Sequence, residues 1–246
     1  MLDQVRIISH KLGLFGIHEA SSRRAEQAVA QQLHPLEFLR LLLEDEALAR
    51  RDRAAKTLTT RARFRFLAEL EDWDFSCDRG FTQQKLRELA ALEFLSHREN
   101  LLILGRTGEG KTHLAIALGK RLCQEGHKTL FLPVNFLFEE VMAARSSGKY
   151  LDYIKTLVKT TVLVLDDFGL RSYSHEEAMT LLDILEERYQ KGIVILTSQV
   201  NPEGWTKLFE DPATGEAIVD RLVHPSQQIV LKGGASYREK LKRKTT

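Results

Sequence analysis

The chain has 246 residues, 43% of them hydrophobic and 28% charged, with a formal net charge of +2. That length suits one domain with an appendage, or two small domains, and it can bury a sizeable core; the near-neutral balance names no partner, so the distribution of charge matters more than its sum. Cys77 and Cys123 form no C-x-x-C pair, no apolar run approaches the ~18 residues of a membrane span, and M-L-D-Q-V-R lacks the layout of a signal peptide, which argues against a zinc site, a disulfide framework and a membrane and for the cytoplasm.

Residues 1–70 read as a helical N-terminal region. Leu2, Val5, Ile8 and Leu12 recur at helical spacing, Pro35 suits a first helical turn, and Leu36, Leu39, Leu43 and Ala47 line one face. Within this region Arg50, Arg51, Arg53, Lys56, Arg61, Arg63 and Arg65 face one acid, Asp52, with Phe64 and Phe66 interleaved. Such a run reads either as a surface that neutralises DNA phosphates or as a solvated helix face. Arg50, Arg53 and Thr57 share one face of a helix, which favours the first reading.

Residues 71–82 are a boundary in which polar residues alternate with Trp73, Phe75 and Phe81. These aromatics either pin the linker onto the next domain or lie against an adenine ring. A helix over Leu86–Leu95 follows and opens a third region, residues 83–246. Leu101–Leu104 fit a short buried strand, and Gly105-Arg106-Thr107-Gly108-Glu109-Gly110-Lys111-Thr112 match G-x-x-x-x-G-K-[ST], the phosphate-binding loop. Gly105 and Gly110 permit backbone angles that a Cβ forbids, so main-chain N–H groups converge on phosphate oxygens. Lys111 would reach the β- and γ-phosphates, and the Thr112 hydroxyl would ligate Mg²⁺. His113–Leu122 carry a helical pattern, so the loop ends at a helix N-terminus that favours an anion.

Thr129–Leu132 make a second strand, and Val134–Ala144 and Tyr150–Val158 make helices on either side of a Ser146-Ser147-Gly148 loop. Arg145 and Lys149 flank that loop, as ordinary surface charges or as contacts to a nucleic-acid backbone. Val162–Leu165 run straight into Asp166-Asp167. An apolar strand ending in carboxylates supplies the second half of a nucleotide site: Asp166 would hold Mg²⁺ through water and Asp167 would polarise the attacking water. Glu176–Gln190 read as a helix, and Ile193–Leu196 as a strand ended by Thr197-Ser198-Gln199, where a polar group would lie near the γ-phosphate. Asn201–Asp211 read as a loop or short helix, Gln228–Leu231 as a last strand, and Lys240, Lys242, Arg243 and Lys244 as a basic tail. The alternation of strand and helix implies α/β architecture with a parallel sheet flanked by helices. Right-handed crossovers then gather the loop, the acidic pair and Ser198-Gln199 at one sheet edge.

The order G-R-T-G-E-G-K-T-H-L-A, V-L-V-L-D-D-F-G, I-L-T-S-Q, D-R-L-V-H and S-Y-R, behind L-E-D-W-D-F, resembles the IstB-like transposition helper ATPases over nearly the whole chain. These are AAA+ proteins of the clade of the DnaC helicase loader and the DnaA initiator. The resemblance implies an ATPase using ATP and Mg²⁺, with Gly105–His113 at the nucleotide, Thr112 and Asp166 at the metal, and Asp167 where many AAA+ proteins have Glu. It places Gln199 at sensor 1, Arg221 as an arginine finger acting on a neighbouring subunit's ATP, and Arg238 as sensor 2. It further implies a homo-oligomer, ring or spiral, on double-stranded DNA, and a cognate transposase as client. Arg50, Arg51, Arg53, Lys56, Arg61, Arg145 and Lys149 are the candidate DNA contacts. A DnaC-like helicase loader is the alternative with the same core. A small-molecule kinase would need an arginine-rich lid that the chain lacks, and a DNA-bridging module without turnover is the remaining alternative.

Overall fold

A computed structural model describes residues 1–76, 80–224 and 226–233. The chain forms two compact units, Met1–Thr57 and Leu58–Thr246. The first holds helices α1 (Leu2–Lys11) and α2 (Phe15–Ala30) and most of α3 (Pro35–Arg61). Its joints are polar. The Glu46 carboxylate accepts from the backbone N–H of Gly16 (2.7 Å) and Ile17 (3.2 Å) at the start of α2, and Arg24 forks onto Asp45 at 2.7 and 2.9 Å. Few apolar side chains are buried here beyond Ala20 and Leu42. The stripe of Leu36, Leu39 and Leu43 faces outward at 49–69% exposure, as do Ile8 and Leu12; helical spacing identified these faces but not which way they turn.

The second unit is organised on a five-stranded sheet: β1 (Asn100–Leu104), β2 (Thr129–Pro133), β3 (Val162–Phe168), β4 (Ile193–Ser198) and β5 (Ser226–Val230), in the order β2-β3-β4-β1-β5 with every pairing parallel. Residues β1 100–104 and β4 193–198 are buried throughout, as expected of parallel strands covered on both faces. Alternate residues serve two cores. Leu102, Leu104, Leu163, Leu165, Val194 and Leu196 pack with α7 (Val134–Ser146), α9 (His175–Arg188) and α10 (Pro212–Val223). Leu101, Ile103, Val162, Val164, Ile193 and Ile195 pack with α6 (Lys111–Gln124) and α4 (Gln83–Ala90). Helices α5 (Glu93–His97) and α8 (Tyr150–Lys159) and a 3₁₀ turn (Pro202–Leu208) complete the unit.

Three boundaries differ from the sequence reading. The helix expected over 86–95 is broken between α4 and α5, where Leu92 adopts φ +58. Helix α10 was not anticipated, although Asp211 caps the N–H groups of Ala213 (3.3 Å) and Thr214 (3.0 Å) and Pro212 opens its first turn. The units meet after Thr57 rather than at 70, because the chain beyond α3 packs into the sheet unit. Ala62, Ala68, Leu70 and Trp73 are buried there, and the Phe131 N–H of β2 donates to the Ala62 carbonyl at 2.8 Å. Trp73 stacks edge-on against Phe81 (5.3 Å between centroids) at 6% exposure, so it pins the linker rather than offering a face to a base. Arg188, 1% exposed, donates to the carbonyls of Thr160 (2.7 Å) and Ile193 (2.7 Å), and to that of Leu157, tying the end of α8 to β4. No helix among the described residues is long and apolar enough to cross a membrane.

Candidate nucleotide site

The loop between β1 and α6 is shaped by its glycines and braced from below. Gly105 and Gly110 take φ +154 and +95; a Cβ at Gly110 would lie 3.1 Å from the Trp73 ring, and one at Gly105 would lie 2.9 Å from the Leu231 carbonyl. Glu109, 6% exposed, turns back into the loop: its carboxylate accepts from the N–H of Arg106 (2.5 Å) and of Gly233 (3.1 Å). Glu109 thus shapes the loop instead of facing the cavity. Lys111 Nζ donates to the Arg106 carbonyl at 2.9 Å, across the mouth of the loop.

Beside the loop, at the end of β3, Asp166 is fully buried. Its Oδ1 accepts from the hydroxyls of Thr112 (2.9 Å) and Thr197 (2.6 Å), whereas Oδ2 is buried with no hydrogen-bond partner. Burial pushes the Asp166 carboxyl above the usual carboxylate range and the Asp167 charge adds to this; the Thr197 and Thr112 hydroxyls and the Arg65 guanidinium oppose it. Asp167 stands in the left-handed region at φ +61, where the β3–β4 register shifts. A non-glycine residue there is strained and concentrates at functional sites. Its N–H donates to the Thr197 hydroxyl at 3.0 Å, so Thr197 orders both acids. Gln199 accepts through Oε1 from the Thr107 hydroxyl at 2.7 Å, joining the end of β4 to the loop.

These groups line a cavity of ≈ 580 Å³ formed by Arg65, Phe66, Thr107, Gly108, Gly110, Lys111, Thr112, His113, Asp167, Leu170 and Gln199. Lys111, Thr112, Asp167 and Gln199 thus meet at one cavity, and Asp166 adjoins it through its hydrogen bond from Thr112 without lining it. The donor set fits Mg²⁺: a hydroxyl and a carboxylate with one oxygen that accepts no hydrogen bond are the hard, sparse protein ligands this ion takes, with phosphates and water completing its shell. No group of three or more His, Cys, Asp or Glu that could hold a metal by itself occurs among the described residues. Arg65 and Phe66 were not singled out as site residues from the sequence; they sit in a basic, aromatic-interleaved run that masks them. Phe66 is 45% exposed and its ring centroid lies 6.3 Å from that of His113.

Arg221 lies elsewhere. It donates to Glu186 (2.6 Å) and the Ala217 carbonyl (3.0 Å). Its own carbonyl accepts from Asn100 (3.2 Å), the first residue of β1. That is the opposite edge of the sheet from the loop that follows Leu104, so Arg221 does not reach the nucleotide cavity of its own chain. Arg238 and the basic tail lie outside the described residues.

The candidate DNA contacts meet more acid than the sequence suggested. Arg50 and Arg53 pair with Glu46 at 2.7 and 3.6 Å, and Arg53 also stacks over Phe15. Arg63 pairs with Glu140 (3.0 Å) and Arg145 with Glu176. Arg50, Arg51, Arg53, Lys56, Arg61, Arg145 and Lys149 are all exposed.

The family model of IstB-like ATP binding proteins matches residues 8–245. The IS21 insertion-sequence ATP-binding protein of Pseudomonas aeruginosa is 38% identical over 219 residues, 89% of this chain and 82% of that protein. The IS5376 insertion-sequence ATP-binding protein of Geobacillus stearothermophilus is 32% identical over 243 residues, 99% and 96% of the two chains. Among solved structures, the DnaC helicase loader superposes with a TM-score of 0.55 at 24% identity, covering 67% of this chain and 97% of that one. AMPPCP-bound DnaA from Aquifex aeolicus superposes at 0.57 with 20% identity, covering 72% and 53%. The sheet unit therefore has the AAA+ fold.

Proposed function

Because this chain belongs to the family of IstB-like ATP-binding proteins, we propose that it is an AAA+ ATPase that helps transposition: it assembles on double-stranded DNA with ATP and recruits or activates a transposase. The observation that carries the nucleotide chemistry is the buried Asp166, hydrogen-bonded by Thr112 and Thr197 and left with one free oxygen beside the phosphate loop. Lys111 binds the β- and γ-phosphates, with the loop N–H groups around them. Thr112 and Asp166 hold Mg²⁺, which when bound offsets charge on the transferring phosphoryl group. Asp167 takes the proton of the attacking water, and Gln199, fixed by Thr107, orients that water.

The remote position of Arg221 supports a role in trans. A guanidinium that cannot reach its own cavity, yet is 31% exposed and paired with Glu186 near the surface, is placed to stabilise transition-state charge on a neighbouring copy's ATP. ATP would then bridge subunits, and hydrolysis would loosen the assembly. The exposed basic residues of α3, with Arg145 and Lys149, would meet DNA phosphates. The outward apolar stripe of Leu36, Leu39 and Leu43 fits the docking of another protein better than solvent does, and the N-terminal unit is assigned to DNA and partner contact on that basis. The names of the relatives favour transposition over helicase loading, because the helicase-loader likeness is one of fold at 24% identity.

Light scattering on a sizing column tests this reading. Large particles are expected only with both ATP and duplex DNA, and they should dissolve as ATP is spent. A protein that stays monomeric in every nucleotide and DNA condition contradicts the proposal.

A further inference from the structure

Arg65 occupies a place that the sequence did not assign to it. Its Nη1 lies 3.7 Å from Asp166 Oδ2 and 3.8 Å from Asp167 Oδ2. These are ion-pair distances, too long for hydrogen bonds. Among the described residues it is the cation paired with the one Asp166 oxygen that no hydrogen bond satisfies. The backbone on either side is fixed. Phe64 packs against Phe131 and Gly119, the Ala62 carbonyl accepts from β2, and Ala68 is buried. The Arg65 side chain, 44% exposed, extends from that anchored backbone with its guanidinium over the Phe131 ring, 5.9 Å from the centroid. It lines the same cavity as Lys111, Thr112 and Gln199.

Two adjacent carboxylates, one of them fully buried, repel, and a nearby cation offsets that repulsion. Arg65 does so here, and a metal bound through Asp166 would compete with it for the same carboxylates. A metal–triphosphate complex that took over those carboxylates would release the guanidinium, and a phosphate chain matches its planar fork of donors. A residue facing DNA would instead direct its charge away from the acidic pair.

We infer that Arg65 is a nucleotide-site residue: it neutralises Asp166 and Asp167 while the cavity is empty of nucleotide, and transfers to the terminal phosphates of ATP. This rests on the reading of the cavity as a Mg²⁺–ATP site. It makes Arg65 both a competitor of free metal and a reader of the γ-phosphate, acting in its own chain where Arg221 acts on a neighbour.

The test uses the full chain as wild type, Arg65→Ala and Arg65→Lys. Mn²⁺ alone is titrated by electron paramagnetic resonance without nucleotide, and fluorescent mant-ATP and mant-ADP are titrated with Mg²⁺. In Arg65→Ala, Mn²⁺ is expected to bind about tenfold more tightly and mant-ATP about tenfold more weakly, with mant-ADP unchanged. Arg65→Lys, which keeps the charge, should stay near wild type for Mn²⁺ and confirms that the fold is intact. An Arg65→Ala protein with unaltered affinity for either Mn²⁺ or mant-ATP overturns the inference. If wild type fails to bind mant-ATP, or Lys111→Ala binds it equally well, the nucleotide-site reading itself has failed and the role of Arg65 falls with it.

Discussion

Replacing Thr197 with Val keeps the shape of the side chain and removes one oxygen. That oxygen donates to Asp166 at 2.6 Å and accepts from the Asp167 N–H at 3.0 Å, with Thr197 and Asp166 both fully buried. A hydrogen bond to a charged group contributes about 1.5–3 kcal/mol, and a neutral one about 0.5–1.5 kcal/mol. Losing both, without a cavity, should cost roughly 3 kcal/mol; Thr and Val are alike in volume but not in this respect. For a unit of this size that corresponds to a melting temperature lower by about 6–12 °C. Thr197→Ser keeps the hydroxyl and should lose far less. Because the same oxygen orients both acids, turnover of Thr197→Val should fall by about ten- to a hundredfold even where the protein is folded. Differential scanning calorimetry of the nucleotide-free protein, with ATPase assays well below the melting point, reads both effects. A Val variant that melts within a degree of wild type and turns over normally would show that Thr197 does not organise the acidic pair.

Asp166→Asn should raise the melting temperature of the nucleotide-free protein, since a carboxyl that burial holds above its ordinary range destabilises the fold when ionised; it should also abolish the extra stabilisation from Mg²⁺–ATP, and a lower melting point would refute the buried-charge argument. Arg188→Ala strands the carbonyls of Leu157, Thr160 and Ile193 and should cost about 4 kcal/mol in urea unfolding; a loss under ~1 kcal/mol would mean those carbonyls find other partners. The Arg63 guanidinium holds the Glu140 carboxyl below its usual range, so this pair stabilises the protein fully above the unfolded value of 4.5 and the contribution disappears as pH falls through the lower, folded value. Arg63→Ala should therefore lower the melting temperature at neutral pH and have little effect at strongly acid pH, which flattens the acid limb of a melting-temperature profile; a loss of the same size at every pH would refute the pairing. DNA affinity measured by fluorescence anisotropy should fall steeply between low and moderate salt; an affinity indifferent to salt would remove the basic residues of α3 from the interface.

The parts of the molecule legible in the sequence are those where one physical requirement dominates. Buried parallel strands must be apolar on both faces, so Leu101–Leu104, Val162–Leu165 and Ile193–Leu196 stand out as runs, and the phosphate loop needs its glycines at fixed spacing. Crossover handedness then brings Thr112, Asp166 and Gln199 to one edge without further information. What escaped depends on contacts between distant residues. Arg65 lies among six other basic residues, and its pairing with Asp166 and Asp167 follows from where the chain lands after α3. Thr197 looks like a strand residue and acts through hydrogen bonds across to β3. The direction of the Leu36, Leu39 and Leu43 stripe was not recoverable, because helical spacing reports a face and not what covers it. Helix α10 was recoverable from Asp211-Pro212, whose capping chemistry the sequence displays.

The account turns on a nucleotide shared between copies, and mixing two inactive variants addresses that directly. Lys111→Ala lacks the phosphate contact and Arg221→Ala lacks the finger, so each alone should hydrolyse ATP poorly on duplex DNA. In an equal mixture of the two, about a quarter of the interfaces join an intact loop to an intact arginine, and turnover should recover to about that fraction of wild type. A mixture that stays as inactive as its components, or an Arg221→Ala protein that turns over normally by itself, contradicts a shared site.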